Sequence, residues 1–131
     1  MPNPVILEGR YPSDWLKAVS HVSGFSYEEV IVASGAGKVQ TGTVLGQVTA
    51  TGKFKPVTVA ATDGSQVAKG ILLNTVDATG ADAPAVIVAR EAIVVMQGLL
   101  YGADVDTPAE RLAVQNALRA LNPPILAREG A

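Results

Sequence analysis

The chain has 131 residues, enough for one domain, with no cysteine, one histidine and a formal net charge of -2. These totals exclude disulfide frameworks, thiolate zinc sites, cysteine nucleophiles and metal centres built from several imidazoles, and they offer no positive field for a nucleic-acid backbone. Apolar residues make up 48% and aromatic residues 5%, so the core is expected to be built mainly from Val, Leu, Ile and Ala.

The opening stretch, MPNPVILEGRYPSDWLKAVSHVSGFSY, carries three prolines and holds no sustained period of 2 or 3.6. Residues 1–27 therefore read as an extended N-terminal arm ahead of a domain at 28–131. The arm lacks the basic start and long apolar stretch of a signal peptide, and no run in the chain reaches the roughly 20 apolar residues of a membrane span. A soluble protein that is not exported by that route is expected. The apolar members of the arm, Val5, Ile6, Leu7, Tyr11, Trp15 and Leu16, are free either to fold back on the core or to meet a partner. Trp15 in particular reads equally well as a staple onto the protein's own sheet or as an anchor in another protein. A short helical turn over residues 13–19, capped by Ser13, is a further expectation.

From Glu28 the texture changes to short runs of Val, Ile and Thr punctuated by Gly. Strands are expected at residues 29–33, 43–49, 54–59, 70–76, 85–90 and 93–96, giving a mostly β fold of the α+β kind. Turns fall at Thr51-Gly52, Asp63-Gly64 and Thr79-Gly80. The glycine-rich stretch between Gly35 and Gly46 reads as a surface loop, followed by a strand with a bulge or close approach at Gly46. One helix is well specified: Thr107 as N-cap, Pro108 at the first helical position and Glu110 closing a capping box. Its apolar stripe is Leu112, Val114, Ala117, Leu118 and Leu121, and Asn122-Pro123-Pro124 stops it near residue 121. The following ILA reads as a last short strand.

Chemistry-bearing patterns are sparse. SGAGKVQTG fails as a phosphate loop, because Val32 stands where the first glycine belongs and Val39 follows Lys38. Glu28 and Glu29 are neighbours on a strand and point to opposite faces, so they do not form a paired-carboxylate site. Asp104 and Asp106 are accounted for by the positive end of the helix dipole. His21, the only imidazole, sits in the irregular arm, away from the rigid scaffold a general base needs. Lys53 in TGKFK lacks the flanks of a cofactor-carrying lysine. No catalytic residue, metal site or cofactor is expected.

Four segments in order, GTVLGQVTATGKFKPV, DGSQVAKGILLNTVDAT, APAVIVAREAIVV and a capped helix ending in NPPILAR, closely resemble tailed-bacteriophage head decoration proteins of the lambda type. The resemblance covers roughly residues 28–128. It implies a small β-clip or β-tulip domain that assembles as trimers at the three-fold positions of the expanded head. There it would clamp neighbouring shell subunits and resist the pressure of packaged DNA. The implied partners are the major capsid protein and further copies of the chain, with no nucleic acid or membrane. The implied location is the outer surface of the capsid, with assembly in the host cytoplasm. In such proteins the N-terminal segment orders against the shell; from the apolar character of this arm, and not from the resemblance, Val5, Ile6, Leu7, Tyr11, Trp15 and Leu16 are the expected capsid-binding residues. An extended peptide with a few apolar side chains suits recognition by strand addition. The competing reading is a β-clip domain with a small-molecule or enzymatic site, which would need titratable groups converging in one cleft.

Overall fold

The computed structural model describes residues 11–20 and 24–129. The described chain is mostly β, with ten strands and a single helix near the C-terminus. The strands are β1 (Leu16–Val19), β2 (Tyr27–Val32), β3 (Gly37–Val39), β4 (Val44–Gln47), β5 (Phe54–Pro56), β6 (Ala68–Leu72), β7 (Val76–Ala78), β8 (Ala83–Val88), β9 (Ala92–Val95) and β10 (Ile125–Arg128). The helix α1 spans Pro108–Arg119.

Five strands close a barrel in the order β2-β5-β4-β6-β8, while β1-β9-β10 form a three-stranded sheet and β3-β7 a ribbon. The barrel seam between β2 and β5 is slight: the two run parallel and meet in register only at Val32 and Phe54. By contrast β2 and β8 pair along six residues, from Tyr27 opposite Val88 to Val32 opposite Ala83.

Consecutive residues of three barrel strands serve two different cores. Leu45, Leu72 and Ile87 join Val32 and Phe54 in one buried cluster, drawn from all five barrel strands and therefore inside the barrel. Their neighbours Val44, Ile71 and Val88 face a second cluster with Trp15, Val94, Val114, Leu118 and Ile125, between the barrel wall, the β1-β9-β10 sheet and the helix. A wall buried on both sides needs continuous apolar runs rather than alternation. That is why the sequence reads TVLG, GILL and AVIV there.

Local chemistry explains the turns. Gly52 has φ +75, and its N–H bonds to the carbonyl of Val48 at 2.8 Å, closing the β4-β5 hairpin. At Gly46 the β4-β6 register slips, and a Cβ there would collide with the backbone of Ser65. The bulge and the close approach expected at that position are both present.

Several expectations are corrected. The segment expected to carry a helical turn over residues 13–19 forms a single 3-10 turn at Pro12–Asp14 and then β1, which pairs antiparallel with β9. Local propensity yields to a free β9 edge whose backbone groups need partners. The glycine-rich loop contains a strand, β3, held by β7 with Lys38 opposite Asp77. The expected strand 70–76 is two strands: the chain leaves the barrel after Leu72 and re-enters sheet structure at Val76, and Thr75 turns its hydroxyl to accept from the N–H of Thr41 at 3.0 Å. At residues 79–80 the turn is organised by the Asp77 carboxylate, which accepts from the N–H and hydroxyl of Thr79. Helix α1 starts at its capping box as expected, but Leu112 lies 56% exposed and only Val114 and Leu118 are buried.

Candidate docking surface

Of the six residues expected to meet a partner, Val5, Ile6 and Leu7 lie outside the described residues, as does His21. Tyr11 is 51% exposed, and its N–H donates to the carboxylate of Asp14 at 2.9 Å. Leu16 is half-buried and packs against the larger core. Trp15 is fully buried: its indole N–H donates to Thr41 Oγ1 at 2.9 Å, and that hydroxyl donates onward to the carbonyl of Leu73. Of the two roles read for Trp15, the structure shows the staple. The ring lies in the protein's own core and presents no exposed face in this fold.

The titratable groups do not converge. Among the described residues no cluster of His, Cys, Asp and Glu could hold a metal ion. Most carboxylates are instead tied to local work. Asp104 accepts from the Thr58 hydroxyl, the Val59 N–H and the Ala60 N–H, so it brackets the loop after β5; this corrects its reading as a helix-dipole charge. The Thr58 hydroxyl is the main cause that holds its carboxyl below the ordinary range. Asp63 is lowered chiefly by the Ser65 hydroxyl, with the Ser65 N–H and Lys55 adding to it. Asp82 is lowered first by Lys53, at 2.7 Å, and then by the Ser34 N–H. Lys53 is therefore an ion-pair partner rather than a displayed lysine. Burial pushes the Tyr101 hydroxyl up, against a hydrogen bond from Gln115 at 3.0 Å.

Among the described residues, shallow apolar hollows lie over two sheet faces. One, of about 510 Å³, lies on the outer face of the β2-β8 pair and is lined by Glu29, Val30, Ile31, Pro84, Ala85 and Val86. The other, of about 350 Å³, lies over the β1-β9-β10 sheet and includes Val19, Ile93, Pro124 and Leu126. Beside the first runs a groove of about 480 Å³ along the seam, between β2 and the β4-β5 hairpin, lined by Glu28, Glu29, Gln47 and Lys53 among others. None of these was read from the sequence. Ile31 and Val86 looked like ordinary strand residues, and only the register shows that they share a bare face.

The fold is a small β-barrel domain in which most described carboxylates are tied to turns and apolar hollows lie on the sheet faces. A model of the family described as bacteriophage lambda head decoration protein D matches residues 5–123, and the chain belongs to that family of phage head decoration proteins. It is accordingly a structural, capsid-associated protein of the virion. The match extends beyond the 28–128 span of the resemblance at its N-terminal side and so includes Val5, Ile6 and Leu7; it ends at Pro123, before β10. None of the curated proteins compared matches the chain. No described helix is long and apolar enough to cross a membrane.

Proposed function

We propose that the protein is a cement of the expanded phage head: it binds the outer surface as trimers at three-fold positions, clamps neighbouring subunits of the major capsid protein and holds the shell against the pressure of packaged DNA. It joins the head in the host cytoplasm during assembly. The observation that carries this reading is the family match over residues 5–123. The family match extends over Val5, Ile6 and Leu7, which supports giving the contact with the shell to these side chains together with the exposed Tyr11. Trp15 supports them indirectly, by fastening the start of β1 to the core. Repetition of modest contacts over a symmetric shell then gives retention that no single contact provides.

The test is co-sedimentation with expanded, undecorated heads, comparing the full chain with a chain that begins at Tyr11, which leaves the Trp15 staple in place. Saturable binding by the full chain, at three copies per three-fold position and with a raised temperature of DNA release, is the expected result. Loss of binding in the shortened chain assigns the contact to residues 1–10, and full binding by it moves the contact into the β domain. Failure of the full chain to bind overturns the reading.

A further inference from the structure

The barrel seam is closed at one end only. At Val32 the chain bonds across to β5, the N–H of Ala33 reaching the carbonyl of Phe54 at 2.8 Å, and the Lys53–Asp82 ion pair lies beside it. Beyond Val32 the hairpin turns away at Gly52, and residues 27–30 of β2 have no strand on that side among the described residues. The alternation of the ladder fixes which backbone groups are exposed. Ser26 accepts from Ala89 at 2.7 Å, so residues 28, 30 and 32 bond to β8, while Glu29 and Ile31 turn their N–H groups into the open seam. Neither N–H has a partner among the described residues.

We propose that this open edge of β2 receives an extended strand from a polypeptide of the capsid shell, carrying a basic side chain opposite Glu29. The inference rests on the capsid reading above and adds a second contact, in the body of the domain. Three observations support it. A strand edge with free backbone donors is a template for an added strand, and the groove beside it is already open. The adjoining outer face is apolar and bare: Ile31 is 40% exposed, with Pro84 and Val86 opposite or next to it on β8. The charges around the groove are matched except one. Glu28 pairs with Arg90 at 3.0 Å and Lys53 with Asp82, whereas Glu29 has no cation within ion-pair distance among the described residues. The same charge argues against two copies pairing edge to edge through β2, because Glu28 and Glu29 of one copy would face those of the other.

The test is hydrogen exchange on the unaltered protein, free and bound to undecorated heads, together with head binding by Glu29→Pro and Glu29→Lys. Proline at 29 removes the N–H that faces the seam and no hydrogen bond to β8, so the free variant is expected to melt close to the parent. The expected result is at least tenfold slower exchange at Glu29 and Ile31 on heads, and at least tenfold weaker head binding by both variants. Full head binding with residues 27–33 still exchanging as in the free protein overturns the inference and leaves the capsid reading standing. The inference is likewise overturned if Glu29→Pro melts and binds as the parent does, or if protection appears in concentrated free protein without heads, which would make a second copy the occupant. Should Glu29→Pro fail to fold, the exchange measurement on the unaltered protein decides alone. Absence of any head binding by the parent overturns both readings.

Discussion

The indole N–H of Trp15 meets the hydroxyl of Thr41 at 2.9 Å inside the larger core, joining the start of β1 to the segment between β3 and β4. Residues 26 apart in sequence are thereby locked together, and the single tryptophan becomes the fastening of the N-terminal strand to the body. Trp15→Ala is expected to destabilise the free protein by about 3–5 kcal/mol, the range for deleting a buried large ring. Thr41→Val, which leaves the indole N–H buried and unpaired, should cost about 1–3 kcal/mol. Urea unfolding followed by circular dichroism measures both. An unchanged midpoint in Trp15→Ala would mean that the ring is not the fastening.

Gly46 and Gly80 make opposite predictions. A methyl group at 46 would enter the backbone of Ser65, which cannot yield without shifting the β6 approach, so Gly46→Ala is expected to cost about 1–3 kcal/mol or more. Gly80 faces open space and does not carry a positive φ. Gly80→Ala should be neutral or stabilise by about 0.4–1 kcal/mol through the unfolded chain. Thermal midpoints of the pair check the contrast in one experiment.

Which parts of this structure could be read in advance follows from where the deciding interactions lie. The capping box at Thr107 and Glu110, the hairpin at Gly52 and the bulge at Gly46 are local, and their residues announce them. The strands β2, β4 and β8 are legible from their runs of Val, Ile and Leu, and β6 only in part, because the expected strand 70–76 runs past its end at Leu72. By contrast β1 and β3 are made by their partners: Leu16 to Val19 has little strand pattern of its own and pairs because β9 offers an edge, and Gly37 to Val39 pairs because β7 returns beside it. The docking surface was illegible for the same reason. Ile31, Pro84 and Val86 come from distant parts of the sequence, and only the β2-β8 register collects them on one face. Family membership, in contrast, was carried by the order and wording of short segments, which survive without any knowledge of contacts.

At the helix, Thr107 accepts from the N–H of Glu110 at 3.2 Å while Glu110 accepts from the N–H groups of Thr107 and Asp106, each at 3.1 Å. Thr107→Ala is expected to lower stability by about 1 kcal/mol. Leu112→Gln, on the exposed side of the same helix, should change it by less than about 0.5 kcal/mol. If Leu112→Gln instead leaves stability unchanged but weakens head binding, Leu112 belongs to a contact on the shell. Measuring both properties for the two variants separates a cap from a contact.

Acid should find the protein through its turn carboxylates. Asp63, Asp77, Asp82, Asp104 and Glu110 are all held below the ordinary carboxylate range, mainly by hydrogen bonds from hydroxyl, ammonium and backbone donors. A carboxyl that binds its proton less readily in the folded chain than in the unfolded one adds stability above the unfolded value, about pH 4. That contribution is lost as pH falls through the lower folded values. All five groups are at the surface, where solvent screens them, so each contribution is small and the sum is what is measured. The urea midpoint is therefore expected to stay level between about pH 5 and 8 and to decline below about pH 4. Asp104→Asn should lower the midpoint at pH 7 and shallow the acid decline, because the bracket on Thr58, Val59 and Ala60 would no longer depend on ionisation. A midpoint that rises on acidification would contradict the direction assigned to all five groups.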